Sequence, residues 1–256
     1  MSYESNSSRL LNKVPEVTLA FWVIKILSTT VGETVADFLA VDAGLGAGVT
    51  TLGMATLLAI ALAGQFRTRT CTPWIYWLCV VLVSIVGTQI TDVLTDVLDV
   101  SLYTSTVVFS LLLAISLSGW YRVERSLSIH EIVTPRRELF YWVTVLCTFA
   151  LGTAAGDLAT EALGLGFTLG ALIFAGLIAA TVVAWRMGAN AVLTFWIAYI
   201  LTRPFGASLG DLLTQAKTYG GLGMGATWTS ALFLCVILML VTAAQLNASH
   251  RAPVSQ

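Results

Sequence analysis

Four acidic residues recur in this chain at one fixed spacing. Nine residues separate an aromatic–Trp pair from a Gly, and four more separate that Gly from an Asp. The pattern reads Phe21-Trp22…Gly32…Asp37, Tyr76-Trp77…Gly87…Asp92, Tyr141-Trp142…Gly152…Asp157 and Phe195-Trp196…Gly206…Asp211. On a helix, residues four apart share a face. Steps of four through the first copy give Lys25, Thr29, Glu33 and Asp37; through the second, Ser84, Thr88, Asp92 and Asp96. The third copy gives Thr153, Asp157 and Glu161, and the fourth Tyr199, Arg203, Ala207, Asp211 and Gln215. Carboxylate and hydroxyl oxygens suit protons and hard cations such as Mg²⁺, Ca²⁺ or Mn²⁺, whereas soft metals want Cys or His. The candidate cation- or proton-binding set is therefore Asp37, Asp92, Asp157, Asp211, Glu33, Asp96 and Glu161. Which metal, if any, is left open.

The elements that must position this stripe are helices in lipid. The chain has 256 residues, of which 57% are hydrophobic and only 11% charged, and its mean hydropathy is +0.86. A soluble domain carries about 25% charged residues. Lipid must cover the missing polar surface, and only helices or a closed barrel then satisfy the backbone. The apolar runs 55–63, 107–117, 171–185 and 231–244 are continuous, whereas barrel strands alternate. Eight spans are expected, near 17–40, 49–65, 74–96, 104–121, 139–162, 167–185, 191–213 and 223–245. Pro73 and Pro135 stand where a helix start loses nothing to a missing N–H.

The expected fold is an all-α polytopic membrane protein, with eight transmembrane helices in four parallel helical-hairpin repeats forming a quasi-fourfold bundle. Residues 1–245 make one membrane domain, with repeats near 17–73, 74–138, 139–190 and 191–245, and 246–256 make a tail. Residues 1–13 and 247–256 are expected to be disordered. Ionisable residues concentrate in the odd spans, so odd helices should face one another and even helices should face lipid. Glycines after the Asp, at Gly44-Leu45-Gly46, Gly164-Leu165-Gly166 and Gly221-Leu222-Gly223, should turn each hairpin. The second repeat departs there, reading Asp99-Val100-Ser101.

This repeat resembles a family of bacterial membrane proteins of unknown function, built from four tandem two-helix repeats that each bear a tryptophan. The resemblance covers about residues 17–245. It implies the architecture and nothing about substrate.

Charge places the chain in its membrane. Arg9, Lys13, Arg67, Arg69, Arg122, Arg125, Arg136, Arg137, Arg186 and Arg251 fall on the side of the termini, against Lys217 alone on the other. Positive residues stay inside, so both termini are expected in the cytoplasm of a bacterium, across its inner membrane. The first residues carry no apolar leader, so no cleaved signal is expected. On that reading Trp22, Trp77, Trp142 and Trp196 lie near the cytoplasmic interface as an aromatic belt. The Asp residues lie about 22 Å further along the helices, toward the outer mouth.

Lys25, Glu33, Arg203 and the four repeat Asp, seven ionisable groups inside spans, would cost roughly 20 kcal/mol if central and unpaired. They must therefore pair, face each other or line water. Lys25 and Glu33 occur only in the first copy. Arg203-Pro204 occurs only in the last, where Pro204 should kink the helix. Lys25 and Arg203 are expected to pair with stripe carboxylates, or else to bind an anionic group of a substrate. Glu33 and Asp37, one turn apart, should exchange protons as a unit.

The remaining residues exclude other chemistry. Cys71, Cys79, Cys147 and Cys235 form no CxxC and read as apolar fillers. His130 and His250 read as solvated. There is no GxSxG or HExxH, and no loop could hold a soluble active site, so no enzyme and no cofactor are expected. A net charge of −1 gives no pull on nucleic acid. The partners expected are the lipid bilayer and a small ion or molecule, with the oligomeric state open. The reading is a transport protein, a carrier coupled to protons or a hard divalent cation, because bases beside acids argue against an open cation pore. The alternative is a membrane scaffold or sensor whose polar stripes only hold the helices together.

Overall fold

A computed structural model describes the backbone of residues 12–42 and 46–251, and the side chains of 12–40 and 46–247. Arg9, the Gly44-Leu45 turn and the side chains of His250 and Arg251 lie outside the described residues. Eight helices are long and apolar enough to cross a membrane. They are α1 (Leu19–Asp37), α2 (Ala47–Arg67), α3 (Pro73–Asp92), α4 (Leu102–Glu124), α5 (Pro135–Asp157), α6 (Gly166–Arg186), α7 (Ala191–Thr214) and α8 (Ala226–Arg251). The last runs well into the segment expected to be a disordered tail.

The helix starts follow local chemistry. Thr18, Thr134 and Asn190 place a side-chain oxygen on the first free N–H groups of α1, α5 and α7. Pro73 and Pro135 occupy the first turn of α3 and α5. In the first three repeats the helix continues past the Asp as a wider π turn, at Phe38–Asp42, Val93–Val97 and Leu158–Ala162. Helix α7 has none; it ends at Thr214 and a short 3₁₀ turn follows at Lys217–Tyr219. The hairpin turn of the second repeat is made without glycine. Asp99 sits at φ 53°, in the position where Gly164 of the third repeat sits at φ 68°. Aspartate is among the few side-chain-bearing residues that tolerate this region.

The four odd helices close a ring in the order α1, α3, α5, α7 and back to α1. Each even helix packs on the first helix of the following repeat: α2 on α3, α4 on α5, α6 on α7, and α8 on α1. The hairpins therefore interlock, and the fourth closes on the first. This segregation follows the distribution of polar residues. Within the apolar window of each span, 56–61% of an odd helix is buried against 17–22% of an even one. The even helices leave Leu52, Leu111, Ile115, Leu172 and Met239 exposed, as a lipid face requires.

The ends of the bundle differ. On the side of the termini, residues 12–14 are held in place, not disordered. Lys13 N donates to Ile132 O at 3.0 Å, and Ile132 N to Asn12 Oδ1 at 3.1 Å. The Lys13 ammonium reaches Glu138 at 2.5 Å and Phe66 O at 3.2 Å, and Gln65 also donates to Glu138. Val14, Ile129 and Ile132 are buried in the same core as Trp120 and Trp196. The connection between α4 and α5 thus folds under the ring.

Candidate functional site

Packing between neighbouring repeats is the same four times over. The aromatic pairs form one closed layer. The first ring of each pair meets the Trp of the next repeat: Phe21 with Trp77 at 5.2 Å, Tyr76 with Trp142 at 5.6 Å, Tyr141 with Trp196 at 6.3 Å, and Phe195 with Trp22 at 5.6 Å. Such tilted and edge arrangements suit aromatic quadrupoles. Tyr76 and Tyr141 add a hydroxyl–hydroxyl bond of 2.6 Å. Trp77, Trp142 and Trp196 are buried, Trp22 is half-buried, and Trp196 Nε1 donates to Leu127 O at 3.0 Å. The expectation of an interfacial belt is therefore corrected. Position along a helix sets the depth of these rings, but the helix face decides whether they meet lipid, and they face their neighbours.

One layer further in, the glycine of each repeat lies on the residue seven after the next repeat's Trp. Gly32 lies on Ser84, Gly87 on Phe149, Gly152 on Arg203 with Pro204, and Gly206 on Thr29. Small residues let backbones approach where lipid supplies no hydrophobic drive between helices. Helix α7 runs on through Pro204 as one helix, its proline lying against Gly152 and Gly156.

The last of these contacts puts Arg203 at the centre of the ring. It is fully buried. Its guanidinium reaches every other repeat: Nη1 donates to Thr29 O at 3.0 Å, and Nη2 to Glu33 at 2.8 Å, to Thr153 Oγ1 at 2.7 Å and to Thr88 Oγ1. Glu33, Thr88 and Thr153 hold equivalent places, each eleven residues after its repeat's Trp. The fourth residue of that set is Ala207, one turn beyond Arg203 on its own helix. Arg203 and Glu33 thus form an intramembrane ion pair.

Lys25 departs from expectation. Its ammonium is buried with no hydrogen-bond partner, 4.0 Å from the centre of the Phe149 ring and 4.3 Å from that of Tyr199. It is held by aromatic faces, not by Glu33 or another acid. The reason is register. Lys25 lies two turns from Glu33 toward the aromatic layer, and Arg203 of α7 occupies the space between.

The acids form a gradient of exposure. Glu33 and Asp211 are buried, Asp37, Asp92 and Asp157 half-buried, and Asp96 and Glu161 exposed at the hairpin end. Glu33, Asp157 and Asp211 each offer a carboxylate oxygen, and the three atoms lie within 4.8 Å of one another. This trio could hold a hard cation. Asp92 lies within electrostatic reach of Glu33, Asp37 and Asp96, and Asp157 within that of Glu33, Asp92 and Glu161. Thr160, Glu161, Gly166, Phe167, Gln215 and Tyr219 line a cavity of about 320 Å³ at this end.

Several participants escaped sequence reasoning. Thr88 and Thr153 were visible in the stripe but not as partners of Arg203. Phe149 could have been singled out, since it replaces a hydroxyl or a charge at the register of Thr29, Ser84 and Arg203. Nothing in the sequence pointed to Lys13–Glu138. Cys79 is buried and Cys235 exposed, and none of the four thiols is in a disulfide. His130 is exposed.

A family model described as "Repeat of Unknown Function (DUF347)" matches the chain four times, at residues 20–70, 75–126, 140–188 and 194–248. No curated protein and no solved structure matches it.

Proposed function

The chain belongs to this repeat family, and we propose from its geometry that it is a membrane transport protein, a carrier coupled to a proton or a hard divalent cation. The observation that carries the reading is the axial polar site. Ionisable and hydroxyl groups of all four repeats converge on the ring axis. An aromatic layer seals the site toward the termini, and exposure increases toward the hairpins. Intramembrane ionisable groups are costly, and in membranes they typically mark ion pathways. The sealed layer and the Arg203–Glu33 pair speak for a carrier with one closed end over an open pore.

The protein lies in this reading in a bacterial inner membrane with both termini cytoplasmic, so the vestibule of acids opens outward. The scaffold alternative has less support. Among the described residues no hydrogen bond or ion pair ties Asp92, Asp157 or Asp211 to a neighbouring helix, so these acids are poor glue.

Flux in proteoliposomes tests the proposal. Purified wild type should move Mn²⁺ or protons down an imposed gradient, and Asp157→Asn should fold yet lose that flux. A well-folded wild type that moves neither, or an Asp157→Asn that moves both as fast as wild type, sinks the reading. Thiol labelling of a cysteine placed in the 122–138 loop tests orientation; modification from outside intact cells alone would reverse it.

A further inference from the structure

We infer that Arg203 is a tethered competitor for the axial carboxylate, and that a cation entering the acid trio must displace its guanidinium from Glu33. The inference deepens the transport reading and rests on it only for the cation's eventual passage.

The receptor for the two terminal nitrogens of the guanidinium comes from the other three repeats. Thr29 supplies a carbonyl, Glu33 a carboxylate, and Thr88 and Thr153 hydroxyls at equivalent positions. Gly152 leaves the space in which the Arg203 stem lies, since a side chain there would overlap its Cβ and Cγ. Gly210 does the same for Glu33, whose Cβ would stand 3.3 Å from an added Cβ. Glu33 belongs to two sets at once. It is the one acid paired with Arg203, and it is one of the three acids whose oxygens come within 4.8 Å. A cation that gathers these oxygens therefore draws on the same carboxylate that neutralises the buried guanidinium.

Displacement is feasible because the partners Arg203 would leave keep other bonds. Thr88 also donates to Ser84 O at 3.1 Å, and Thr153 to Phe149 O at 3.2 Å. Several polar atoms buried in the odd helices have no hydrogen-bond partner, among them Arg203 Nε, Ser28 Oγ, Ser84 Oγ, both ends of the Gln89 amide and Lys25 Nζ. Buried polar groups are normally satisfied. The consequence is a one-for-one exchange of positive charge at Glu33, which is never left without a cation.

Mn²⁺ binding to the full-length protein in lipid nanodiscs, read from the loss of the free-ion spin-resonance signal, tests this. Arg203→Lys keeps the charge but cannot make the forked set of bonds. It should bind Mn²⁺ about tenfold more tightly than wild type, the equivalent of one charge-assisted bond lost by the competitor. In a Glu33→Gln background the same substitution should change little. A general electrostatic role for Arg203 would leave the affinity of the Lys variant at the wild-type value, and that result overturns the inference, as does an absence of Mn²⁺ binding in every variant. Should Arg203→Lys not fold, Arg203→Ala prepared in low-millimolar guanidinium chloride carries the test. Free guanidinium should raise its melting temperature and leave that of wild type unmoved; equal responses overturn the inference. A wild type that carries no ion while the lysine variant still binds more tightly would sink the transport reading and leave the exchange standing. Proton flux without any Mn²⁺ binding would do the reverse.

Discussion

Replacing one ring glycine with alanine tests the interlocked fourfold packing directly. The four glycines of the repeat differ from Gly53 and Gly176 on the even helices. A Cβ on Gly87 would stand 2.7 Å from Phe149 Cβ and 3.3 Å from Ala150 N; on Gly32, 3.0 Å from Ser84 C; on Gly206, 3.1 Å from Thr30 N; on Gly152, 3.1 Å from Pro204 Cδ. These neighbours are backbone atoms, Cβ atoms and a proline ring, which cannot swing aside. The helix pair must open by several tenths of an ångström instead. Overpacking of this kind costs about 1–3 kcal/mol. Gly53 and Gly176, on lipid-facing α2 and α6, have nothing within 4 Å of an added Cβ. Alanine there should be neutral or stabilise by up to about 1 kcal/mol, through helix propensity alone. Thermal unfolding of all six single variants in one detergent, followed by size-exclusion chromatography, separates the two groups. The ring variants should melt several degrees below wild type, at about 2–4 °C per kcal/mol for a chain of this size. If Gly87→Ala and Gly152→Ala melted with Gly53→Ala, the close approach of odd helices, and with it the position of Arg203, would be wrong.

Removing Arg203 alone, as Arg203→Met, strands Glu33 in the ring and should cost about 3–5 kcal/mol, most of it recovered in Glu33→Leu/Arg203→Met; strictly additive losses in a stability cycle would refute the pairing. Lys25→Met replaces a desolvated ammonium held only by two rings, so the melting temperature should hold or rise; a large fall would reveal a partner for Lys25. At the termini side, Lys13→Met leaves the buried Glu138 without its cation and should release residues 12–14, seen as new protease cleavage near the N-terminus; wild-type resistance would count against the strap. Burial, with Glu16 nearby, pushes the Cys71 thiol up to about 12, so it stays neutral at neutral pH and should react slowly with maleimide until the pH is well above 9; rapid labelling at pH 7.5 would contradict its setting.

How much of this was legible beforehand follows from what repeats encode. The sequence alone determined the eight spans, the four units, the stripe of Lys25, Glu33, Arg203 and the repeated Asp, and the separation of polar odd helices from apolar even ones. These are consequences of one-dimensional patterns: hydropathy length, a recurring spacing and a step of four along a helix. It did not determine which neighbour each group meets. Trp77, Trp142 and Trp196 face inward, because rotation about the helix axis is set by packing with the next repeat. Lys25 rests on Phe149 and Tyr199, because Arg203 of another helix already occupies the place beside Glu33. The exchange of even helices between repeats, the bond from Lys13 to Glu138 across 125 residues, and the meeting of Glu33, Asp157 and Asp211 all depend on how four similar hairpins close into a ring. Closure is a property of the assembled helices. No single repeat carries it, since each unit buries its polar stripe only when the other three supply the remaining walls.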